Sequence, residues 1–195
     1  MELLIFSNIA LWIAVLVQIA VIFALARQIG ILYERVSPVG AMISDSGPDI
    51  GAQVPALTLP NLNGAELPLG GPEGRAQLVF FLSTTCPICK ALIPALRSIR
   101  DDEGRWLDVV LASDGREAIH RRLIESENLQ SFPYVLSSEL GMTFKVAKLP
   151  FAVLIGPDGK VRAKGLVNSR EQLESLFTAS ETGIASVQAA AALPA

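Results

Sequence analysis

The chain has 195 residues, 51% of them hydrophobic, and its formal net charge of −3 argues against a surface that binds nucleic acid. Two cysteines and one histidine are too few for a disulfide-stapled scaffold or a multi-ligand zinc site, so no bound metal is expected. The length allows one domain with its own core beyond an apolar N-terminus.

The first predicted element is a membrane-spanning helix within residues 1–36. No charged residue occurs from Leu3 to Ala26, and this run exceeds the roughly 20 residues that a helix needs to cross a bilayer. A cleaved signal peptide is the alternative, although no Lys or Arg precedes the apolar run. Arg27 and Arg35 follow the run, and two charges do not decide on which side of the membrane the rest of the chain lies.

Two segments of biased composition delimit the predicted domain. Residues 37–52 are rich in Gly, Ser, Asp and Pro, which is typical of a linker. Residues 181–195 are rich in Ala and are predicted to be a disordered tail. The folded domain is therefore expected to occupy residues 53–180.

Within these bounds, the pattern of apolar and turn residues predicts a hairpin, four strands and three helices. These are a hairpin turning near Asn63-Gly64, strands Leu78–Leu82, Trp106–Ala112, Phe151–Ile155 and Val161–Gly165, and helices after Cys86, over Asp114–Leu129 and after Ser169. Capping boxes, Asp114 with Glu117 and Ser169 with Gln172, are predicted to begin the last two helices. The order β-α-β-α-β-β-α indicates an α/β fold, with a mixed sheet covered by helices on both faces.

Two other side chains are assigned from their surroundings in the sequence. His120 lies in His120-Arg121-Arg122 on a predicted helix, and this pattern predicts a solvated helix face. Trp106 begins a predicted strand, so we expect its ring to lie in the core.

Both cysteines lie in one C-x-x-C motif, Cys86-Pro87-Ile88-Cys89, which follows a buried strand and a short turn and opens a helix. A thiolate at a helix N-terminus meets unpaired N–H groups and the positive end of the helix dipole. A spacing of three residues brings the second sulfur beneath the first. We predict that Cys86 attacks a disulfide and that Cys89 resolves the mixed disulfide, so the redox-active pair needs no other cofactor. Inert buried cysteines, half a zinc site and a structural disulfide are the alternatives.

The stretch from Cys86 to Pro94 resembles the C-x-x-C-K-x-x-x-P motif of the thioredoxin superfamily, and Leu149-Pro150 resembles its cis-proline loop. The resemblance implies a thioredoxin-like fold in which this loop lies beside the sulfurs and the backbone of Leu149 binds the substrate. It also implies that three neighbours of the sulfurs tune the site, namely Thr85, Pro87 and Ile88.

The chain departs from thioredoxin at two positions near the motif. Thr85 stands where thioredoxin has a tryptophan, and Phe80 stands where it keeps a buried carboxylate. The group that would accept the proton of Cys89 is therefore not identified by the resemblance. Hydroxyl groups of the turn before Cys86 could instead form hydrogen bonds to a sulfur.

A narrower resemblance rests on the segment Tyr33–Ala41 together with Cys-Pro-Ile-Cys-Lys, which are similar to the methylamine dehydrogenase accessory protein D family, MauD. This resemblance implies a thiol–disulfide oxidoreductase or isomerase that assists disulfide formation in the light (β) subunit of methylamine dehydrogenase. It implies a single span in the inner membrane, a domain in the periplasm, and a membrane electron donor or acceptor for the cysteine pair. The direction of electron flow stays open.

Four other functions compete with this one. A general extracytoplasmic thioredoxin-like reductase for cytochrome maturation would use the same motif. A peroxiredoxin-like peroxidase would have a threonine and a proline where Ser83 and Phe80 stand. A copper-delivery protein would need wider cysteine spacing and a later histidine, and a membrane scaffold would not depend on Cys86.

Overall fold

The structure is a computed structural model, and it describes residues 1–35, 47–71 and 74–182. Most of the predicted linker, residues 37–46, and nearly all of the predicted tail, residues 183–195, lie outside the described residues. The helices are α1 (Glu2–Arg35), α2 (Pro87–Glu103), α3 (Glu117–Ser126), α4 (Ser138–Thr143) and α5 (Arg170–Thr182). The strands are β1 (Leu57–Leu59), β2 (Leu67–Leu69), β3 (Ala76–Phe81), β4 (Leu107–Ser113), β5 (Tyr134–Leu136), β6 (Phe151–Ile155) and β7 (Val161–Leu166).

The N-terminal helix α1 is continuous over 34 residues. Its stretch Ile5–Phe23 covers 19 residues and is long and apolar enough to cross a membrane. The side chains described in this stretch are exposed. Exposed apolar side chains are unfavourable in water and favourable in lipid, so this exposure is consistent with a membrane-spanning helix. The helix and the chain from residue 38 onward form two separate compact units.

The domain is built on a five-stranded mixed sheet with the order β5-β4-β3-β6-β7. Strand β3 lies at its centre, parallel to β4 and antiparallel to β6. Every residue of β3 is buried, as a continuous apolar run predicts for a strand covered on both faces. The hairpin of β1 and β2 forms a separate antiparallel pair.

Helices cover both faces of the sheet, which confirms the predicted architecture. Alternate residues of β3 point to opposite faces, so Leu78 and Phe80 join one core cluster while Val79 and Phe81 join the other. The first cluster contains the inward residues of α2, α3 and α5. The second contains residues of α4 and of the β1–β2 hairpin. Strand β5 and helix α4 are absent from the predicted order because segments of three and six residues are too short to show a period.

The starts of two helices test the predicted capping boxes. Helix α5 follows Ser169, whose Oγ accepts a hydrogen bond from the backbone N–H of Gln172 at 3.3 Å, as predicted. Helix α3 begins at Glu117, and its N-cap residue, Arg116, makes no side-chain capping bond. The predicted cap at Asp114 is therefore wrong, and α3 also ends earlier than predicted, at Ser126.

The prediction for Trp106 is also wrong. This residue precedes β4, and 46% of it is exposed. Its indole Nε1 donates a hydrogen bond to Glu103 at 2.5 Å, and its ring meets the edge of Phe177 with centroids 6.1 Å apart. The polar end of an indole favours such a rim position because it keeps a hydrogen-bond partner there.

The domain begins earlier than residue 53. The backbone N–H of Gly47 donates to the carbonyl of Lys145 at 3.0 Å, and that of Gly51 donates to Val161 at 2.8 Å. Gly47 has a φ of +93°, a conformation that glycine adopts without strain. Within the predicted linker, Gly47 therefore packs closely against the domain, with Phe151 and Lys164 as its neighbours. At the other end, α5 continues to Thr182, two residues past the predicted boundary.

Candidate active site

The two cysteines lie where the central strand meets a helix. Cys86 is the N-cap residue of α2, with an extended backbone at φ −83° and ψ 111°. Its Sγ accepts a hydrogen bond from the backbone N–H of Cys89 at 3.2 Å. The sulfur thus takes the place of the oxygen acceptor that usually caps a helix, and it lies at the positive end of the helix dipole. The predicted strand–turn–helix setting of the motif is confirmed.

The two sulfurs have different environments. Cys86 is half-buried, whereas Cys89 is only 1% exposed, and both are free thiols. Burial raises the pKa of Cys89 to about 12, and its side-chain hydrogen bond with Cys86 acts in the same direction. A backbone hydrogen bond from Ser83 acts in the opposite direction and is weaker. At neutral pH Cys89 is therefore a protonated thiol beneath a sulfur that solvent can reach.

The residues expected to tune the site surround Cys86 along the chain. Thr85, Pro87 and Ile88 are all exposed. The hydroxyl of Thr85 lies 3.1 Å from that of Ser83, so these two hydroxyls pair with each other. The backbone of Ser83 lowers the pKa of Cys89, against the larger effect of burial.

The loop before β6 reaches the same end of the sheet. The Leu149–Pro150 peptide bond is cis, as the resemblance to thioredoxin predicts. Phe151 pairs with Phe81 across β6 and β3, so Pro150 lies beside the chain that leaves β3 toward Cys86. Pro150 is buried and Leu149 is exposed, which leaves Leu149 accessible to a partner molecule.

A groove of about 730 Å³ adjoins this loop. It runs between the ends of β3 and β4 and the segment from α4 to the proline loop. Its floor includes Leu82 and Ser113, and its rim includes Met142, Lys145 and Leu149. Two of the lining residues beside the proline loop, Lys145 and Lys148, are lysines.

That His120 and Tyr134 form a buried polar pair was not predicted from the sequence. His120 is 3% exposed, so the prediction that it belongs to a solvated helix face is wrong. Its Nδ1 lies 2.8 Å from the hydroxyl of Tyr134, and its Nε2 lies 2.8 Å from the carbonyl oxygen of Asp114. The sequence does hold a signal, because Leu123 and Ile124 follow His120 by three and four residues and share its helix face.

Tyr134 is fully buried, and burial raises its pKa above the ordinary value for tyrosine. A hydrogen bond with Ser113 lowers this pKa, and the charge of Cys89 raises it. Tyr134 and Cys89 belong to the same core cluster.

Comparison with known proteins agrees with this geometry. The AhpC/TSA family profile matches residues 50–164. The methylamine utilization protein MauD of Paracoccus denitrificans is 48% identical over 187 residues, which cover 95% of this chain and 92% of that protein. MauD of Methylorubrum extorquens is 45% identical over 190 residues, covering 96% of this chain and 92% of that protein.

Among solved structures, a putative thiol:disulfide interchange protein DsbE from Chlorobium tepidum superimposes with a TM-score of 0.60 at 19% identity. The match covers 68% of this chain and 97% of that chain, and it establishes the thioredoxin-like fold. In this chain a pair of free cysteines, Cys86 and Cys89, lies at the start of α2. The chain is thus a thioredoxin-like thiol–disulfide oxidoreductase, and it belongs to the AhpC/TSA family and to the family of methylamine utilization proteins MauD.

Proposed function

We propose that the chain is a membrane-anchored thiol–disulfide oxidoreductase or isomerase that matures the light (β) subunit of methylamine dehydrogenase in the periplasm. The observation that carries the proposal is the unequal burial of Cys86 and Cys89 at one helix N-terminus. Relatives that share nearly the whole chain act in methylamine utilization by name, which supports this client. The apolar helix α1 supports attachment to the inner membrane.

The reaction begins at Cys86. Its sulfur, as the thiolate, attacks one sulfur of a client disulfide, and the other client sulfur leaves with the bonding electrons. This forms a mixed disulfide between Cys86 and the client. Cys89 then loses its proton and attacks Cys86, which forms the Cys86–Cys89 disulfide and releases the client as a dithiol. Two electrons have passed to the client, and the same steps in reverse donate a disulfide. The cysteine pair is the redox centre, and we propose no further cofactor.

The client is held beside the proline loop. We assign the backbone of Leu149 to pair with an extended client segment, with Pro150 placing that backbone next to the sulfurs. The exposed side chains of Leu149 and Ile88 are assigned to make apolar contacts with the client. The adjoining groove has room for side chains of the bound segment. Thr85, Pro87 and Ile88 are assigned to tune the site.

Turnover requires a second redox partner. A reductase or isomerase must return the Cys86–Cys89 disulfide to the dithiol, so we assign it a membrane electron donor, whereas an oxidase would need a membrane acceptor. Misplaced pairs in a client dense in disulfides are corrected by repeated thiol exchange, which favours an isomerase kept reduced.

A trapping experiment in cells that produce methylamine dehydrogenase tests the proposal. The Cys89→Ser variant cannot resolve the mixed disulfide, so an adduct of Cys86 with the light subunit should accumulate and disappear on reduction. Mass spectrometry of the adduct identifies the client. Cys86→Ser is the matched control and should give no adduct. If the trapped partner is another protein, such as an apocytochrome, the proposed client is wrong and the chain is a general reductase for cytochrome maturation.

The AhpC/TSA match favours a second candidate, a peroxidase acting through Cys86. Its chemistry would reduce a peroxide at the sulfur and form a sulfenic acid, which Cys89 would resolve to the disulfide. Ser83 and Phe80 occupy positions where such peroxidases have a threonine and a proline, which weakens this candidate. Consumption of hydrogen peroxide by the reduced protein, compared with its reduction of a protein disulfide, decides between the two.

A further inference from the structure

The groove beside the proline loop carries charges that the disulfide chemistry does not use. Leu149, the residue assigned to the client backbone, is part of its lining, so a client segment that pairs there borders the groove. Leu82 on the floor directly follows β3, and the turn after it leads to Cys86. Short stretches of chain therefore connect the groove to the proline loop and to the attacking sulfur.

The described lining of this groove is positive although the chain as a whole is negative. The lining contains two lysines, Lys145 and Lys148, and one carboxylate, Asp114, whereas the chain has a formal net charge of −3. Both lysines are exposed, and among the residues that the structure describes neither ammonium group forms an ion pair. Arg121 and Arg170, which are exposed as well, each have a glutamate partner. The two lysines are thus available to a negative charge on a bound molecule.

The turn that carries Lys145 is fixed by backbone hydrogen bonds. Its N–H donates to the carbonyl of Met142 at 2.9 Å, and the N–H of Val146 donates to Gly141 at 3.0 Å. This pair of bonds closes a helix at a left-handed residue, which is usually glycine. Lys145 has a φ of +48°, a region that other residues enter at a cost. The turn accounts for the backbone conformation but not for the presence of a lysine.

We propose that Lys145 and Lys148 form a basic subsite that recognises an acidic side chain of the client, close in sequence to the client cysteine; this proposal rests on the oxidoreductase function above. Each ammonium group offers three donors and no acceptor, so a carboxylate is the complementary partner. An extended segment advances about 3.3 Å per residue, so the acidic residue lies within a few positions of the cysteine that Cys86 attacks. The subsite selects which client segments reach the sulfurs.

Asp114 gives the groove a charge of the opposite sign. It directly follows β4, whereas the lysines belong to the segment between α4 and β6, so the two signs come from different walls. A client carboxylate is attracted by the lysines and repelled by Asp114. Removing the charge of Asp114 should therefore act against removing the charge of the lysines. Opposite effects of this kind distinguish charge recognition from a change in the shape of the groove.

The probe is a set of short peptides, each with a single cysteine and oxidised to a symmetric disulfide dimer. A reference peptide has glutamine at every variable position, and each other peptide has one glutamate or one lysine within about four residues of the cysteine. The reduced full-length protein in detergent converts one dimer to two peptide thiols while its Cys86–Cys89 disulfide forms, so two electrons pass to the peptide. Chromatography of acid-quenched samples gives the second-order rate constant for each peptide.

We expect the best glutamate peptide to react about 3-fold faster than the glutamine peptide with the wild type at low salt, and the matching lysine peptide to react more slowly. A preference of this size is within the range of exposed ion pairs. It should vanish near 1 M salt, where the screening length falls to about 3 Å.

The double variant Lys145→Asn, Lys148→Gln should lose the preference for glutamate, and Asp114→Asn should increase it. Asparagine is used at residue 145 because it tolerates the left-handed turn. Lys160→Gln is the matched control, since it removes an exposed lysine from the turn between β6 and β7 and should keep the wild-type preference. The ratio of the glutamate and glutamine rates decides in every variant, so a general change in activity does not affect the result.

Equal rates for the glutamate and glutamine peptides with the wild type would overturn the subsite, and so would a preference that survives in the double variant. If the double variant does not fold, Lys148→Gln, which leaves the left-handed residue unchanged, decides alone. Failure of the wild type to reduce any of the peptides would instead refute the oxidoreductase function itself.

Discussion

At the scale of single residues, Cys86 and Cys89 differ because one caps α2 and the other lies a turn inside it. Their spacing and the strand before them made this difference predictable. The pair of His120 and Tyr134 was not, since a histidine next to two arginines suggests a solvated surface. Tyr134 lies 14 residues further along, on a strand too short to be recognised. Only the tertiary structure brings the two side chains together.

The buried thiol predicts a dependence of stability on pH. Burial raises the pKa of Cys89 from 9.0 to about 12, so the folded state keeps this proton more strongly than the unfolded state. The resulting stabilisation is complete below pH 9 and is lost as the pH rises from 9 toward 12, with a slope of at most about 1.4 kcal/mol per pH unit. This loss of stability can be measured as a fall in the thermal unfolding midpoint of the reduced protein between pH 8 and 10.5.

The matched variant is Cys89→Ala, which carries no proton at this position. Its midpoint should fall less steeply above pH 9 than that of the wild type. Parallel curves for the two proteins would show that Cys89 is not protonated more strongly in the folded state.

At the scale of elements, apolar periodicity predicted the long strands and helices but not the connections that join short ones. The side-chain oxygen of Asn61 accepts hydrogen bonds from the backbone of Asn63 at 3.0 Å and of Tyr134 at 2.9 Å. The amide of Asn63 donates to the carbonyls of Leu129 and Phe132 at 3.0 and 2.8 Å. These bonds tie the loop after β1 to the start of β5. Contacts between residues about 70 positions apart leave no periodic trace in the sequence.

The cap of α5 allows a test of one element. Ser169→Ala removes the acceptor for the backbone N–H of Gln172, and we expect the free energy of unfolding to fall by about 1 kcal/mol. Ser169→Asp keeps an acceptor at this position and should retain most of the stability. Chemical denaturation of the three proteins gives the values. Equal loss in both variants would show that the hydrogen bond is not what stabilises the helix start.

At the scale of the whole molecule, the sequence was sufficient to distinguish an apolar N-terminal helix from a redox domain. The sequence did not predict the orientation of the helix in a membrane, because the only basic residues that follow the apolar run closely are Arg27 and Arg35. It also placed the start of the domain too late, since hydrogen bonds from Gly47 and Gly51 cannot be read from composition. Residues 36–46, which connect the two units, lie outside the described structure.

The orientation can be measured through Cys86 itself. In a Cys89→Ser variant the single remaining thiol is half-buried, so a maleimide can reach it. Because disulfide exchange is favoured outside the cytoplasm, we expect a membrane-impermeant maleimide to label this thiol in spheroplasts before lysis. A Cys86→Ser, Cys89→Ser double variant controls for labelling elsewhere. Labelling that occurs only after lysis would place the domain in the cytoplasm.

The packing of Gly47 determines where a soluble form of this domain should begin. A methyl group at Gly47 would lie 2.7 Å from the ring of Phe151 and 2.9 Å from the side chain of Lys164, so the bare backbone covers that ring directly. Phe151 directly follows Pro150, so the ring that Gly47 covers belongs to the residue after the cis proline. Cutting the chain at residue 53 would remove this cover from Phe151, whereas a start a few residues before Gly47 would preserve it.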